Sequence, residues 1–100
     1  MIGSYKIIWS DESVKNLDSI IDYLEQNWTE KEVKKFINHL NKRIQLISLN
    51  PLLFPSTPKS KKTRKSVLSK QTSIFYRITE NRVEILSIFD NRQNPDRLKI

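Results

Sequence analysis

The junction at Trp28 and Thr29 sets the tightest limit on what this chain can fold into. Upstream of it, Val14, Leu17, Ile20, Ile21, Leu24 and Trp28 recur every three or four residues, which marks one apolar stripe of an amphipathic helix. Ser10 stands before that stripe as an N-cap, and Asp11 and Glu12 occupy the first turn, where the helix dipole favours negative charge. Thr29-Glu30-Lys31-Glu32 then matches a capping box. A second stripe follows at once, through Val33, Phe36, Ile37, Leu40, Ile44 and Ile47. Asn50-Pro51 stops it, because proline disfavours helical geometry in the residue before it. Two long helices joined this tightly are expected side by side and antiparallel. Neither can bury its stripe on the other alone, so both must cover a sheet.

The rest of the chain supplies that sheet. Tyr5-Lys6-Ile7-Ile8-Trp9 reads as a short strand rich in aromatic and β-branched residues. Leu52 to Ser60, with Pro51, Pro55 and Pro58 in or beside it, reads as an irregular crossing, and Arg64 to Ser69 as a weak edge strand. Ile74, Tyr76 and Ile78 alternate with Ser73, Phe75 and Arg77, the pattern of a half-buried strand. Thr79 to Arg82 turns the chain into Val83 to Phe89, which is apolar at nearly every position, as in a central strand covered on both faces. The tail from Asn91 is polar and contains Pro95. The expectation is a single α+β domain over residues 1–100, of order β-α-α-β-β-β. Its sheet should be mostly antiparallel: a strand, then the helical hairpin lying on one face, then a three-strand meander. Leu17, Ile21, Leu24, Phe36, Leu40, Ile44, Tyr76, Ile85 and Leu86 should be buried together.

Charge narrows the partners. Eighteen Lys and Arg stand against eleven Asp and Glu, a formal charge of +7, which favours encounter with polyanions and says nothing of specificity. The basic run Lys59-Ser60-Lys61-Lys62-Thr63-Arg64-Lys65 leads into the last two strands, and Arg92 follows them. Cations thus stand at the entry and exit of a rigid scaffold, and Lys61, Lys62, Arg64, Lys65, Arg77 and Arg92 become the candidates for target binding or charge stabilisation. The plainer reading of such a run is a solvated face. There is no cysteine, which excludes disulfides and thiolate chemistry and fits a reducing cytosol. No apolar stretch approaches membrane-spanning length and the N-terminus lacks the layout of a signal peptide, so a cytoplasmic protein is expected, with no membrane partner.

Familiar catalytic constellations are missing. The single glycine, Gly3, excludes a glycine-rich phosphate loop and a nucleophile elbow. His39 has no cysteine or acidic neighbour at ligand spacing and reads as a solvated or packing residue. Asp18, Asp22 and Glu25 read as the solvated face of the first helix, and Glu80, Glu84, Asp90 and Asp96 are too few near the basic end to hold a metal. Neither metal nor cofactor is expected. Lysines and arginines could stabilise a phosphoryl transition state. Metal-free RNA cleavage also needs a proton acceptor and a donor, and from Asn91 onward Tyr, His and Glu are all absent.

Several segments, in this order and spacing, carry a resemblance over nearly the whole chain. They are Ile8-Trp9-Ser10, the run Asn16 to Leu24, Ile44 to Pro51, Arg64-Lys65-Ser66-Val67-Leu68, Phe75-Tyr76-Arg77-Ile78, and Val83 to Arg92. Together they resemble the RelE/ParE superfamily of bacterial toxins from type II toxin–antitoxin systems. The resemblance implies one of two activities. RelE-like members cut messenger RNA on the ribosome with basic residues and a C-terminal tyrosine or equivalent; ParE-like members, the plasmid-stabilisation branch, poison DNA gyrase. Arg64 falls near a basic position on the first strand after the helices, and Arg92 at the arginine that follows the last strand. Ser73 replaces the arginine three residues before the sheet tyrosine, and the C-terminal tyrosine position falls near Leu98. These departures, with the long helical hairpin and its Asn-Pro stop, lean toward a ParE-like gyrase binder; the alternative is a RelE-like ribosome-dependent endoribonuclease. A cognate antitoxin, in a toxin–antitoxin hetero-oligomer, is implied either way.

Overall fold

A computed structural model of the chain describes residues 4–92. Strand β1 spans Lys6–Trp9, helix α1 Asp11–Asn27 and helix α2 Glu30–Leu49. A 3-10 turn over Pro51–Leu53 follows, then strands β2, Arg64–Val67, β3, Thr72–Thr79, and β4, Arg82–Asp90. The tail around Pro95, Asp96 and Leu98 lies outside the described residues.

The caps form where the sequence puts them. Ser10 Oγ accepts the Ser13 N–H at 3.0 Å and its hydroxyl donates to the Leu86 carbonyl at 2.9 Å, so the start of α1 is tied to β4. Thr29 Oγ1 accepts the Glu32 N–H at 3.2 Å. Each replaces a backbone partner that the first helical turn lacks.

The sheet order is β1-β4-β3-β2. Strands β2 and β4 pair antiparallel with β3, but β1 pairs parallel with β4, so the sheet is mixed. Both helices and the other two strands separate β1 from β4 in the chain, and a connection of that length permits either direction.

The apolar run of β4 has a different cause from the one its sequence suggests. Phe75 pairs with Ser87 and Tyr76 with Ile85, leaving Leu86 as an extra residue in a β-bulge. The bulge shifts the alternation: Val83 and Ile85 face the core, then Ile88 and Asp90 do so, three residues later. Leu86 and Phe89 are only half-buried, and Leu86 does not join the core as expected.

Ile20, Leu24, Val33, Leu40 and Ile47 of the two helices meet Ile74, Tyr76, Val83, Ile85 and Ile88 on one sheet face. Leu17, Ile21, Phe36 and Ile44 are half-buried at its margin. Trp28 lies just past the end of α1, as its C-cap, and is 45% exposed. Tyr76 is fully buried and its hydroxyl donates to the Pro51 carbonyl at 2.6 Å, which pins the end of α2 to the sheet. Burial raises the Tyr76 pKa, with Arg64 pulling the other way. No helix among the described residues is long and apolar enough to cross a membrane.

Candidate functional site

The crossing from Pro55 to Thr63 is more ordered than its prolines suggest. Ser56 bridges Arg64, Thr57 N–H donates to the Thr63 carbonyl at 2.7 Å, and the Lys65 N–H donates to the Pro55 carbonyl at 3.1 Å. Thr57 Oγ1 donates to the Ser60 carbonyl at 3.1 Å and accepts the Ser60 N–H at 3.2 Å. Short polar side chains close turns in this way because they reproduce a backbone partner. Lys61 and Lys62 therefore ride on a braced turn beside the edge strand β2.

From there the strand register decides which cations meet. Arg64 opens β2 opposite Tyr76, and its Nη1 donates to the Phe54 carbonyl. Arg77 lies next along β3. Lys61, Lys62, Arg64 and Arg77, with Ile78 and Thr79, line one groove of about 500 Å3. Four cations on one open groove suit an anionic partner.

The other two candidates lie elsewhere. Lys65 does not line the groove; it stands opposite Phe75 with its ammonium 5.8 Å from the ring centroid. Arg92 is at the far end of the sheet. Its Nη2 donates to Asp90 Oδ2 at 2.6 Å and its Nε to Asp90 Oδ1 at 3.1 Å, a bidentate clasp on a side chain only 2% exposed. Thr72 Oγ1 donates to the same carboxylate at 2.7 Å. The guanidinium lies 5.8 Å from the Trp28 ring centroid and 6.0 Å from that of Phe36. Burial pushes the Asp90 carboxyl up, but the hydrogen bonds from Arg92 and Thr72 outweigh it and hold the pKa below the ordinary value.

Arg77 is also engaged. Its Nε donates to Glu84 Oε1 at 2.6 Å, a bond that holds the Glu84 pKa below the ordinary value and makes this carboxylate a weaker base. In the sequence Glu84 and Asp90 stand out only as carboxylates too sparse to hold a metal. A signal for the first pairing was present: a two-residue turn pairing Thr79 with Arg82 places Arg77 opposite Glu84. Among the described residues, no three His, Cys, Asp or Glu side chains come close enough to hold a metal ion.

Comparisons with known proteins fit this architecture. The chain matches the family model described as the ParE toxin of the type II toxin–antitoxin system, parDE, over residues 7–95. No sequence among the curated proteins matches it. The chromosomal ParDE toxin–antitoxin system from P. aeruginosa has a similar structure, with TM-score 0.73 and 16% identity, covering 87% of this chain and 96% of that one. The YoeB dimer from Staphylococcus aureus gives TM-score 0.60 at 16% identity, over 86% and 95% of the two chains. The E. coli DinJ–YafQ toxin–antitoxin complex gives 0.58 at 13% identity, over 89% and 94%. At these identities the structural likeness is one of fold, and the family match carries the assignment. This chain belongs to the ParE family of toxins from type II toxin–antitoxin systems, within the RelE/ParE superfamily.

Proposed function

We propose that this toxin acts by binding DNA gyrase and does not cleave RNA. The observation that carries the reading is the state of two of its three candidate arginines, Arg64, Arg77 and Arg92. Arg77 is paired with Glu84 and Arg92 with Asp90, at opposite ends of the β3–β4 pair. Thr72, opposite Asp90, and Arg77 are separated by about 17 Å of extended strand, and each guanidinium is held by its own carboxylate instead of turned toward a shared point. A ribonuclease would need such groups convergent on the reacting phosphate, with a base beside them. A protein-binding surface requires neither.

The groove of Lys61, Lys62, Arg64 and Arg77 favours the second reading, a RelE-like endoribonuclease, because a nucleotide phosphate would fit its charge. One pair of assays separates them. Purified toxin is expected to inhibit supercoiling by gyrase and to leave ribosome-bound messenger RNA intact. Translation-dependent cleavage that an Arg64→Ala variant loses, with supercoiling untouched, would establish the ribonuclease instead.

A cognate antitoxin is part of the proposal, since the solved relatives include toxin–antitoxin complexes. An acidic segment that orders on binding gains charge complementarity against a +7 chain. Co-expression with the neighbouring reading frame should yield a co-purifying complex that weakens as salt rises. Failure to co-purify at low salt counts against it.

A further inference from the structure

The solvent face of α2 carries a second basic surface, separate from the groove beside β2. Lys31, Lys34, Lys35, Asn38, His39 and Lys42 line a shallow groove of about 490 Å3, and all six are exposed. At 3.6 residues per turn, Lys31, Lys35 and Lys42 fall on one line, opposite the buried stripe of Val33, Leu40 and Ile47. Glu30 and Glu32 flank only the first turn. The Lys34–Glu30 pair, 3.3 Å apart, has side chains 74% and 84% exposed, so it offsets little of the charge. Lysines at i, i+3 and i, i+4 repel one another, and the isolated helix bears that cost until a polyanion relieves it.

We propose that this face docks the phosphate backbone of duplex DNA, without reading its sequence. Three features favour a duplex. The face presents no Phe, Tyr, Trp or aliphatic anchor among its lining residues, whereas the core of a protein interface needs one and is poor in lysine. Single strands are held by stacking on successive aromatic rings, and this lining offers only the His39 imidazole. Lysine is a point charge that suits phosphate contact without base specificity. The row from Lys31 to Lys42 runs about 17 Å, a length over which a duplex presents about ten phosphates. Helix α1 orients the approach: Asp11, Glu12, Asp18, Asp22 and Glu25 are all exposed, with only Lys15 against them, and would repel the same polyanion.

The surface shares no residue with the groove of Lys61, Lys62, Arg64 and Arg77, and its test does not depend on the gyrase reading. Binding of the full chain to a 20-base-pair random duplex would be followed by fluorescence anisotropy from 50 to 250 mM KCl. The triple variant Lys31→Gln, Lys35→Gln, Lys42→Gln should lower the slope of log affinity against log salt by about 2 to 3, since each lost phosphate contact removes about 0.9. Its thermal midpoint and its effect on gyrase should stay at the native value, and duplexes of different sequence should bind alike. An unchanged slope in the triple variant overturns the proposal. So does loss of DNA binding in a Lys61→Gln, Lys62→Gln variant alone. Tighter binding to polyglutamate than to the duplex, lost in the triple variant, would make the face a protein-docking surface and overturn it equally.

Discussion

Two arginine–carboxylate pairs sit at opposite ends of the β3–β4 hairpin, and they differ in nearly everything except their chemistry. Near the tight turn, Arg77 and Glu84 face each other across the strands with side chains 50% and 31% exposed. At the open end, Arg92 reaches back to Asp90, two residues away; the carboxylate is buried and accepts from Thr72, and the guanidinium lies near the Trp28 and Phe36 rings. Water screens the first pair, so it adds little to stability and can be exchanged for an outside anion. The second cannot be opened without leaving a charge in a desolvated site. An arginine following the last strand therefore need not be a target-facing residue. In this chain it fastens the end of β4 to the junction of α1 and α2.

That contrast predicts the largest effect for the buried pair. Arg92→Ala should cost about 3 kcal/mol or more, because it removes the buried Asp90 carboxylate's charged partner and leaves it only the Thr72 hydroxyl and the residue-92 backbone N–H. Urea denaturation measures it. A cost near that of an exposed substitution would show that Asp90 escapes to solvent and that the two ends are alike. The same number matters for function: any activity lost in Arg92→Ala must first be corrected for unfolding.

Acid should act on the same pair next. The folded Asp90 pKa lies below its unfolded value of about 3.9, so the unfolded chain binds the extra proton between the two. The pair's contribution is fully present above pH 4 and is lost as pH falls through the folded value. Unfolding free energy of the native chain should therefore drop more steeply below pH 4 than that of Asp90→Asn. Parallel curves would remove Asp90 from the acid limb.

How much of this was legible beforehand depends on range. The helices were, since their stripes and the caps at Ser10 and Thr29 depend on residues within four positions of each other. The order of strands was too, but not the parallel pairing of β1, which depends on residues some 75 positions apart. The bulge at Leu86 left no local mark, because a leucine there reads like any apolar strand residue. Within the candidate site, the grouping of Lys61, Lys62, Arg64 and Arg77 follows from a braced turn that the prolines disguised. The separation of Arg92 was hidden because its partner, Asp90, is buried only by virtue of pairing with Thr72. The lysine face of α2 is written plainly at helical spacing, but the run from Lys59 to Lys65 is denser in charge and masks it.

At the exposed end the expected effects are smaller. Glu84→Gln should barely move the denaturation midpoint, yet it should strengthen binding of anions at the groove by releasing Arg77. Titrating native and variant chains with inorganic pyrophosphate at low salt reads this directly. Equal affinities would mean that Arg77 is not limited by its partner, and the exposed pair would then be as inert as the buried one.

The smallest effect belongs to the turn that sets this end's register. Glu80 is the first residue of the two-residue loop between Thr79 and Arg82, and its φ is 56°, in the left-handed region. A residue with a Cβ pays about 1 kcal/mol there. Glycine avoids that strain but loses more freedom on folding, a cost of roughly half as much or more. Glu80→Gly should therefore stabilise the chain by only a few tenths of a kcal/mol, seen as a higher urea midpoint with an unchanged slope. Because the loop holds Arg77 opposite Glu84, the variant should leave the groove's anion affinity where it was. A lower midpoint would mean that the Glu80 side chain contributes more than its backbone strain removes, and the exposed end would owe its register to contacts beyond the ladder and the Arg77–Glu84 bond.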